Sequence, residues 1–175
     1  MKMDPGLDTG EILAQEKTLI RDEDNSETLH ARLATLGAEL LAQTIPEYVA
    51  GRITPRPQPA EGVVYAPKIK KQDGLIAWEQ PAQTIWNQVR GLVPWPGAFT
   101  WLPGSPAPQL LKIWQAAVQP GVGPPGEVLR ADKAGIVIAC GLDALRILTL
   151  QREGGRRMNA QEFLAGRPLK VGERV

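Results

Sequence analysis

The sequence predicts an α+β protein with a strand and a long helix over residues 1–50, an extended linker over 51–67 and an OB-like antiparallel β-barrel over 68–175. Three observations carry this. Leu29, Leu33, Leu36 and Leu40 recur at helical spacing. Residues 51–67 (GRITPRPQPAEGVVYAP) hold four prolines and no helical period, as an extended linker does. Beyond them, β-type runs alternate with Gly and Pro turns, giving five short strands in about 55 residues, the density of an antiparallel barrel or sandwich.

In order, a turn at Asp4-Pro5-Gly6 precedes residues 11–20 (EILAQEKTLI), which read as a short apolar strand or an edge segment. Asp24 and Glu27 have the spacing of a capping box and open a helix over about residues 25–50. Pro46 should kink or interrupt it, because its ring removes a donor, and Gly51 is placed to end it. After the linker, Pro81 suits a first helical turn. Ala82, Ile85, Trp86 and Val89 then make one apolar face before Gly91 and Pro94 stop the helix. The strands are AFTWL, LLKIWQAAV, GEVLRA, GIVIAC and ALRILTLQ, separated by the turns PGSPAP, QPGVGPPG, DKAG and GLD. Asn159 caps a final short helix, AQEFLAG.

No apolar run reaches membrane-spanning length and no basic-then-apolar leader is present, so the expectation is a soluble, cytoplasmic protein without a membrane partner. One cysteine, Cys140, and one histidine, His30, are too few soft ligands for a zinc site, and no metal is expected. The net charge of +1 conceals a division. Residues 1–50 carry four basic and ten acidic side chains, a net of −6, and the remaining 125 residues carry a net of +7. The basic part is the one suited to a polyanion.

Candidate phosphate contacts are Arg52, Arg56, Lys68, Lys70 and Lys71 along the linker, and Arg90, Lys112, Arg156 and Arg157 beyond it. Arg130, Lys133 and Arg152 add to the same charge. The alternative is a solvated charged surface. Of the five tryptophans, Trp86, Trp95, Trp101 and Trp114 are expected mostly in the core, although each could stack on a base. His30 belongs on a helix surface, and Cys140 is read as buried filler. In Asp4-Pro5-Gly6-Leu7-Asp8-Thr9-Gly10, two readings stand: an Asp-rich turn, or a carboxylate fixed to orient a histidine.

Together the motifs resemble the methionyl-tRNA formyltransferases. MDPGLDTGEIL is similar to their aspartate loop, and TIPEYVAGRITP, YAPKIKKQDGLIAW, IWNQVRGLVPWPGAFT, GIVIACG and LTLQREGGRRMNAQEFLAG follow in the family's order. The resemblance implies transfer of a formyl group from 10-formyltetrahydrofolate to initiator methionyl-tRNA. It also implies that residues 1–50 are the closing strand and helix of a Rossmann-like catalytic domain, and that the second domain holds tRNA. Asp8 matches the aspartate of an asparagine-histidine-aspartate set whose other members lie upstream in the family. The isolated chain is therefore expected to be inactive and to bind folate poorly. Self-association, docking of residues 11–50 on the second domain, or pairing with a missing N-terminal catalytic half is expected to cover the exposed apolar surface. A non-catalytic RNA-binding protein, another folate-dependent formyltransferase and formyltetrahydrofolate dehydrogenase remain as alternatives.

Overall fold

Asn25, rather than Asp24, starts the first helix in the computed structural model, which describes residues 1–104 and 107–175. Its side chain accepts from the backbone N–H groups of Glu27 and Thr28 at 2.9 and 3.0 Å, and Thr28 Oγ1 accepts from the Asn25 N–H at 3.0 Å. The capping box expected at Asp24–Glu27 thus forms one residue later. Asp24 has another task. It is 5% exposed, and its carboxylate accepts from Arg32 Nη1 and Nη2 at 2.9 and 2.6 Å and from the Arg21 N–H at 2.7 Å. Arg32 also donates to Thr18 Oγ1 and to the Leu19 carbonyl, tying residues 18–24 to helix α1 (Ser26–Val49).

The Arg32 guanidinium first, and the Arg21 N–H second, hold the Asp24 carboxyl well below the usual carboxylate range. A folded pKa below the unfolded value of about 3.9 means that this stabilisation is complete above that value and is lost as pH falls towards the folded one. The melting midpoint of the α1 region should therefore fall below about pH 4, and Asp24→Asn should lower it at neutral pH while flattening its acid dependence. Circular dichroism melts from pH 7 to pH 3 test this, and a wild-type midpoint that ignores acid refutes it.

Pro46 does not interrupt α1. It lies in the last turn, where the Ala50 N–H donates back to the Pro46 carbonyl, and the helix ends at Val49. Gly51, at φ +69°, follows in the left-handed conformation that favours glycine. The strand expected over residues 11–20 is absent. Ile12 makes a single antiparallel bridge to Arg56, and the rest has no ladder partner. Residues 1–68 form one compact unit, and Ile69–Val175 form the other. In the first, no residue of α1 is fully buried, and Leu33, Leu41, Ile45 and Val49 are exposed.

The second unit is built on an antiparallel sheet. Its strands are β1 (Ala98–Leu102), β2 (Gln109–Gln119), β3 (Val128–Asp132), β4 (Gly135–Ala139), β5 (Ala144–Arg152) and β6 (Arg157–Asn159). The order is β1-β2-β5-β4-β3, with β6 added to β5. Five of these strands match the expected runs, although β3 starts at Val128 rather than Gly126, which sits at φ +83°. β6 was not expected, being only three residues long. Among the described residues no ladder joins β1 to β3, so the sheet is not closed into the expected barrel. Of the PGSPAP turn, Ser105 and Pro106 lie outside the described residues.

Leu111, Ile113, Ile136, Ile138, Leu145, Ile147 and Leu150 alternate onto one face of the sheet, each no more than 1% exposed. Helix α2 (Ala82–Gly91) covers that core with Ala82, Ile85 and Val89, and α3 (Ala160–Gly166) covers it with Phe163. Asn159 caps α3 by accepting from the Glu162 N–H at 2.8 Å. Trp78 is buried, its Nε1 donating to Thr100 Oγ1 at 3.1 Å. Cys140 is buried as well, and burial pushes its thiol up to about 11.

Chain segments lie along both outer strands. Leu75 bridges Phe99 of β1 in parallel. Beside β3, Val128 donates its N–H to the Glu173 carbonyl, Gly172 donates to the Val128 carbonyl, and Glu127 bridges Arg174.

Candidate functional site

The face of the sheet away from this core carries Lys112, Arg146 and Arg157, whereas Arg152 lies in register with core residue Leu111. The strands β1, β2, β4, β5 and β6 contain no aspartate or glutamate, whereas Lys112, Arg146, Arg152 and Arg157 lie on them. Pairing sets Phe99, Lys112, Gln151 and Arg157 in one row across β1, β2, β5 and β6. The pairing of β2 with β5 shifts register between Ile113 and Gln115, leaving Trp114 without a Cα partner. A bulge of this kind re-aims a side chain.

Trp114 is the centre of the row's contacts. Its indole Nε1 donates to Gln151 Oε1 at 2.9 Å, and Gln151 Nε2 donates to the Gly155 carbonyl in the β5–β6 turn at 2.7 Å. The Arg157 guanidinium carbon stands 3.6 Å from the ring centroid, and Lys112 Nζ stands 5.5 Å away, donating to the Pro96 carbonyl at 3.0 Å. Cations at these distances are attracted by the ring's negative face. Farther along the same face, half-buried Arg146 pairs with Val137 and Ala117, and among the described residues its Nε has no hydrogen-bond partner.

The nine basic residues singled out in the sequence do not form one group. Lys112 and Arg157 meet at Trp114. Arg90 lies on α2 with its guanidinium 4.1 Å from the Trp86 ring centroid. Arg156 pairs with Glu162 at 3.1 Å, and Arg52 pairs with Glu47 at 2.6 Å, each ion pair lowering its carboxylate's pKa. Lys70 and Lys71 are exposed at a 3₁₀ turn, Lys71–Gly74. Arg56 and Lys68 are exposed in the first unit, where Arg56 pairs with Ile12 only through its backbone. Of the tryptophans expected in the core, Trp95 and Trp101 are instead 58% and 45% exposed, and Trp86 and Trp114 are half-buried. Gln151 was not singled out in the sequence, and Trp114 was considered only as a core residue or a base-stacking one. The alternation in LKIW and TLQR, with Lys112, Trp114, Thr149 and Gln151 at every second position, was the signal available.

In the first unit, the carboxylate held by the Asp4–Gly10 loop is that of Asp4, which accepts from the Gly6 N–H at 3.1 Å and from Thr9 Oγ1 at 2.8 and 2.9 Å. Asp8 is exposed at φ +55°. Its carbonyl, with that of Gly10, accepts from Gln58 Nε2 at 2.7 Å, so the backbone is fixed while, among the described residues, the carboxylate has no hydrogen bond. Asp8 lines a cleft of about 1070 Å³ together with residues 58–68. His30 is exposed on α1. Among the described residues no three His, Cys, Asp or Glu side chains gather as a metal-holding group, and no helix is long and apolar enough to cross a membrane.

The model of the formyl transferase C-terminal domain matches residues 68–168, the whole of the sheet and α3. The chain belongs to the formyl transferase family. Formyl transferase relatives cover nearly all of it. The methionyl-tRNA formyltransferase of Trichlorobacter lovleyi is 45% identical over 172 residues, 98% of this chain and 53% of the relative. That of Geobacter metallireducens is 43% identical over the full chain and 55% of its own length. That of Methylibium petroleiphilum is 46% identical over 98% of the chain and 54% of the relative. The chain thus spans about half the length of the curated relatives it matches. Among solved structures, HypX from Aquifex aeolicus in complex with tetrahydrofolic acid shares the fold at TM-score 0.65 and 19% identity, covering 97% of this chain and 30% of that one.

Proposed function

We propose that the chain is the tRNA-holding portion of a methionyl-tRNA formyltransferase. In this reading residues 1–50 close the catalytic domain, 51–67 link, and 68–175 serve as a partly open, OB-like tRNA-binding domain. The observation that carries it is the similarity of nearly the whole chain to named methionyl-tRNA formyltransferases, at 43–46% identity. Five of the six strands of the second unit, all but β3 with its Asp132, carry no carboxylate, and this supports it, since a cationic face suits a phosphate backbone. Arg56, Lys68, Lys70, Lys71, Arg90, Lys112 and Arg157 are the leading contacts. Arg52 and Arg156, each neutralised by a carboxylate, contribute less.

Asp8 is assigned as the aspartate of the catalytic set, orienting a histidine and favouring its cation. The residues around it do not by themselves make a formyl-transfer site: Asp8 only accepts hydrogen bonds, Gln58 Nε2 is committed to two carbonyls, and the cleft's remaining side-chain donors include Tyr65 and Lys68, with no histidine in the lining for Asp8 to orient. The 175 residues alone are accordingly assigned no formyl transfer and weak folate affinity. The exposed apolar side of α1 is read as the face that a catalytic half covers. Self-association is the competing reading, and sedimentation of the chain separates the two. The site is cytoplasmic in this proposal, with initiator methionyl-tRNA as partner.

The test incubates the purified chain with initiator methionyl-tRNA and 10-formyltetrahydrofolate. Binding without formylmethionine is the expected outcome. Folate-dependent formylation at ordinary enzyme concentration overturns the inactivity, and no tRNA binding at low salt overturns the RNA-holding role.

A further inference from the structure

We infer that Arg157 is a preorganised fork for an RNA backbone phosphate, with Trp114 and Gln151 as its positioning residues; the inference rests on the RNA-holding role proposed above. Three features of the β2–β5–β6 surface lead there. The Arg157 guanidinium is held 3.6 Å from the Trp114 ring centroid, and among the described residues its side-chain donors have no acceptor. A guanidinium resting on an aromatic ring keeps its N–H edge available while its rotamer is restricted, so less freedom is lost when a phosphate arrives. The planar fork then meets two phosphate oxygens at once, which a lysine ammonium does not reproduce.

The support beneath it is built from both sides. Gln151 fixes the indole through Trp114 Nε1 and fixes the turn that leads into Arg157 through the Gly155 carbonyl. One amide therefore sets the platform and the chain that carries the cation. Lys112 lies in the same cross-strand row as Gln151 and Arg157, and the strands of that row carry no carboxylate to compete with a phosphate. Arg156, one residue earlier, is by contrast directed to Glu162. Neighbouring arginines are thus divided between a local ion pair and an open donor edge. The occupant that matches a planar donor edge in a carboxylate-free row, with Lys112 as a second cation, is a phosphodiester.

The experiment measures initiator tRNA binding by the full chain across a salt series. Arg157→Ala should weaken binding by about tenfold and reduce the slope of log affinity against log salt by about 1. Arg157→Lys should keep the slope and still lose about threefold, because the charge remains and the fork does not. Trp114→Phe, which retains a ring but not the N–H, and Gln151→Leu should each weaken binding severalfold. Neither should add its full effect to that of Arg157→Ala, because residues acting through one contact are not additive. Melting curves confirm that each variant is folded. If the wild-type chain binds tRNA but Arg157→Ala changes neither affinity nor slope, or Arg157→Lys binds as wild type does, this inference fails alone. Fully additive Gln151→Leu and Arg157→Ala effects remove the positioning role. No wild-type binding at low salt sinks both this inference and the reading on which it rests.

Discussion

Phe163→Ala is expected to destabilise the second unit by about 3–5 kcal/mol, the usual cost of emptying a buried aromatic site. Phe163 is the largest fully buried side chain, at 0% exposure, and α3 sets it against β3, β4, β5 and β6 while the Arg152 guanidinium rests 5.8 Å from its ring centroid. The site has little means of collapsing, because strands held in a ladder do not close individually around a void. Domains of this size have about 5–15 kcal/mol in hand, so much of the margin disappears. Each kcal/mol is worth about 4–8 °C of melting temperature for a domain near 100 residues. Urea denaturation followed by tryptophan fluorescence measures the loss, and a change below 1 kcal/mol would show that α3 is not part of the cooperative core.

The second large effect is on RNA affinity. If Lys68, Lys70, Lys71, Lys112 and Arg157 each neutralise a phosphate, five released counterions give a log–log salt slope of about −3.5 to −4.5. Raising monovalent salt from about 50 to 200 mM should then weaken tRNA binding by roughly two to three orders of magnitude. Replacing Lys70 and Lys71 together by glutamine should flatten the slope by about 2, with little dependence on RNA sequence, as phosphate contacts carry no base information. A slope near zero in the wild type, or one unchanged in the double variant, would remove the electrostatic account. Filter binding over four salt concentrations is sufficient.

The helices and five of the strands were legible because their apolar residues recur at the period of the element they form. What was not legible depended on partners distant in sequence. Asp24 and Asn25 are both able to cap a helix, and the choice fell to Asn25 because Arg32 engages Asp24 from the next turns of α1. The strand expected at residues 11–20 needed a neighbouring strand, and only Arg56 supplies a bridge. The tryptophans were assigned inward by their size, but strand parity places Trp101 opposite Leu110, out of phase with core residues Thr100 and Leu102. The alternation in LKIW sets Trp114 on the face of Lys112, but the register shift that leaves it without a Cα partner depends on β5 and is not written in that alternation. The site was legible as charge rather than as geometry: composition separates the basic portion from residues 1–50, yet it does not distinguish Arg156, paired with Glu162, from Arg157, resting on Trp114. Asp8 was singled out through the resemblance of its motif, and its role rests on the proposal drawn from it. The loop's side-chain hydrogen bonds nevertheless converge on Asp4.

The strips of chain along β1 and β3 determine what the second unit does in a crowded solution. An open sheet ends in two rows of unmet N–H and C=O groups, which are templates for stray strands and for fibril growth. Here Leu75 and Ile76 occupy part of one row, and residues 172–175 occupy part of the other. Residues 172–175 therefore occupy groups that a stray strand would otherwise pair with, and Val175 packs against the core as well. Shortening the protein by four residues should consequently show itself first as turbidity on storage, before any loss of helix or sheet signal.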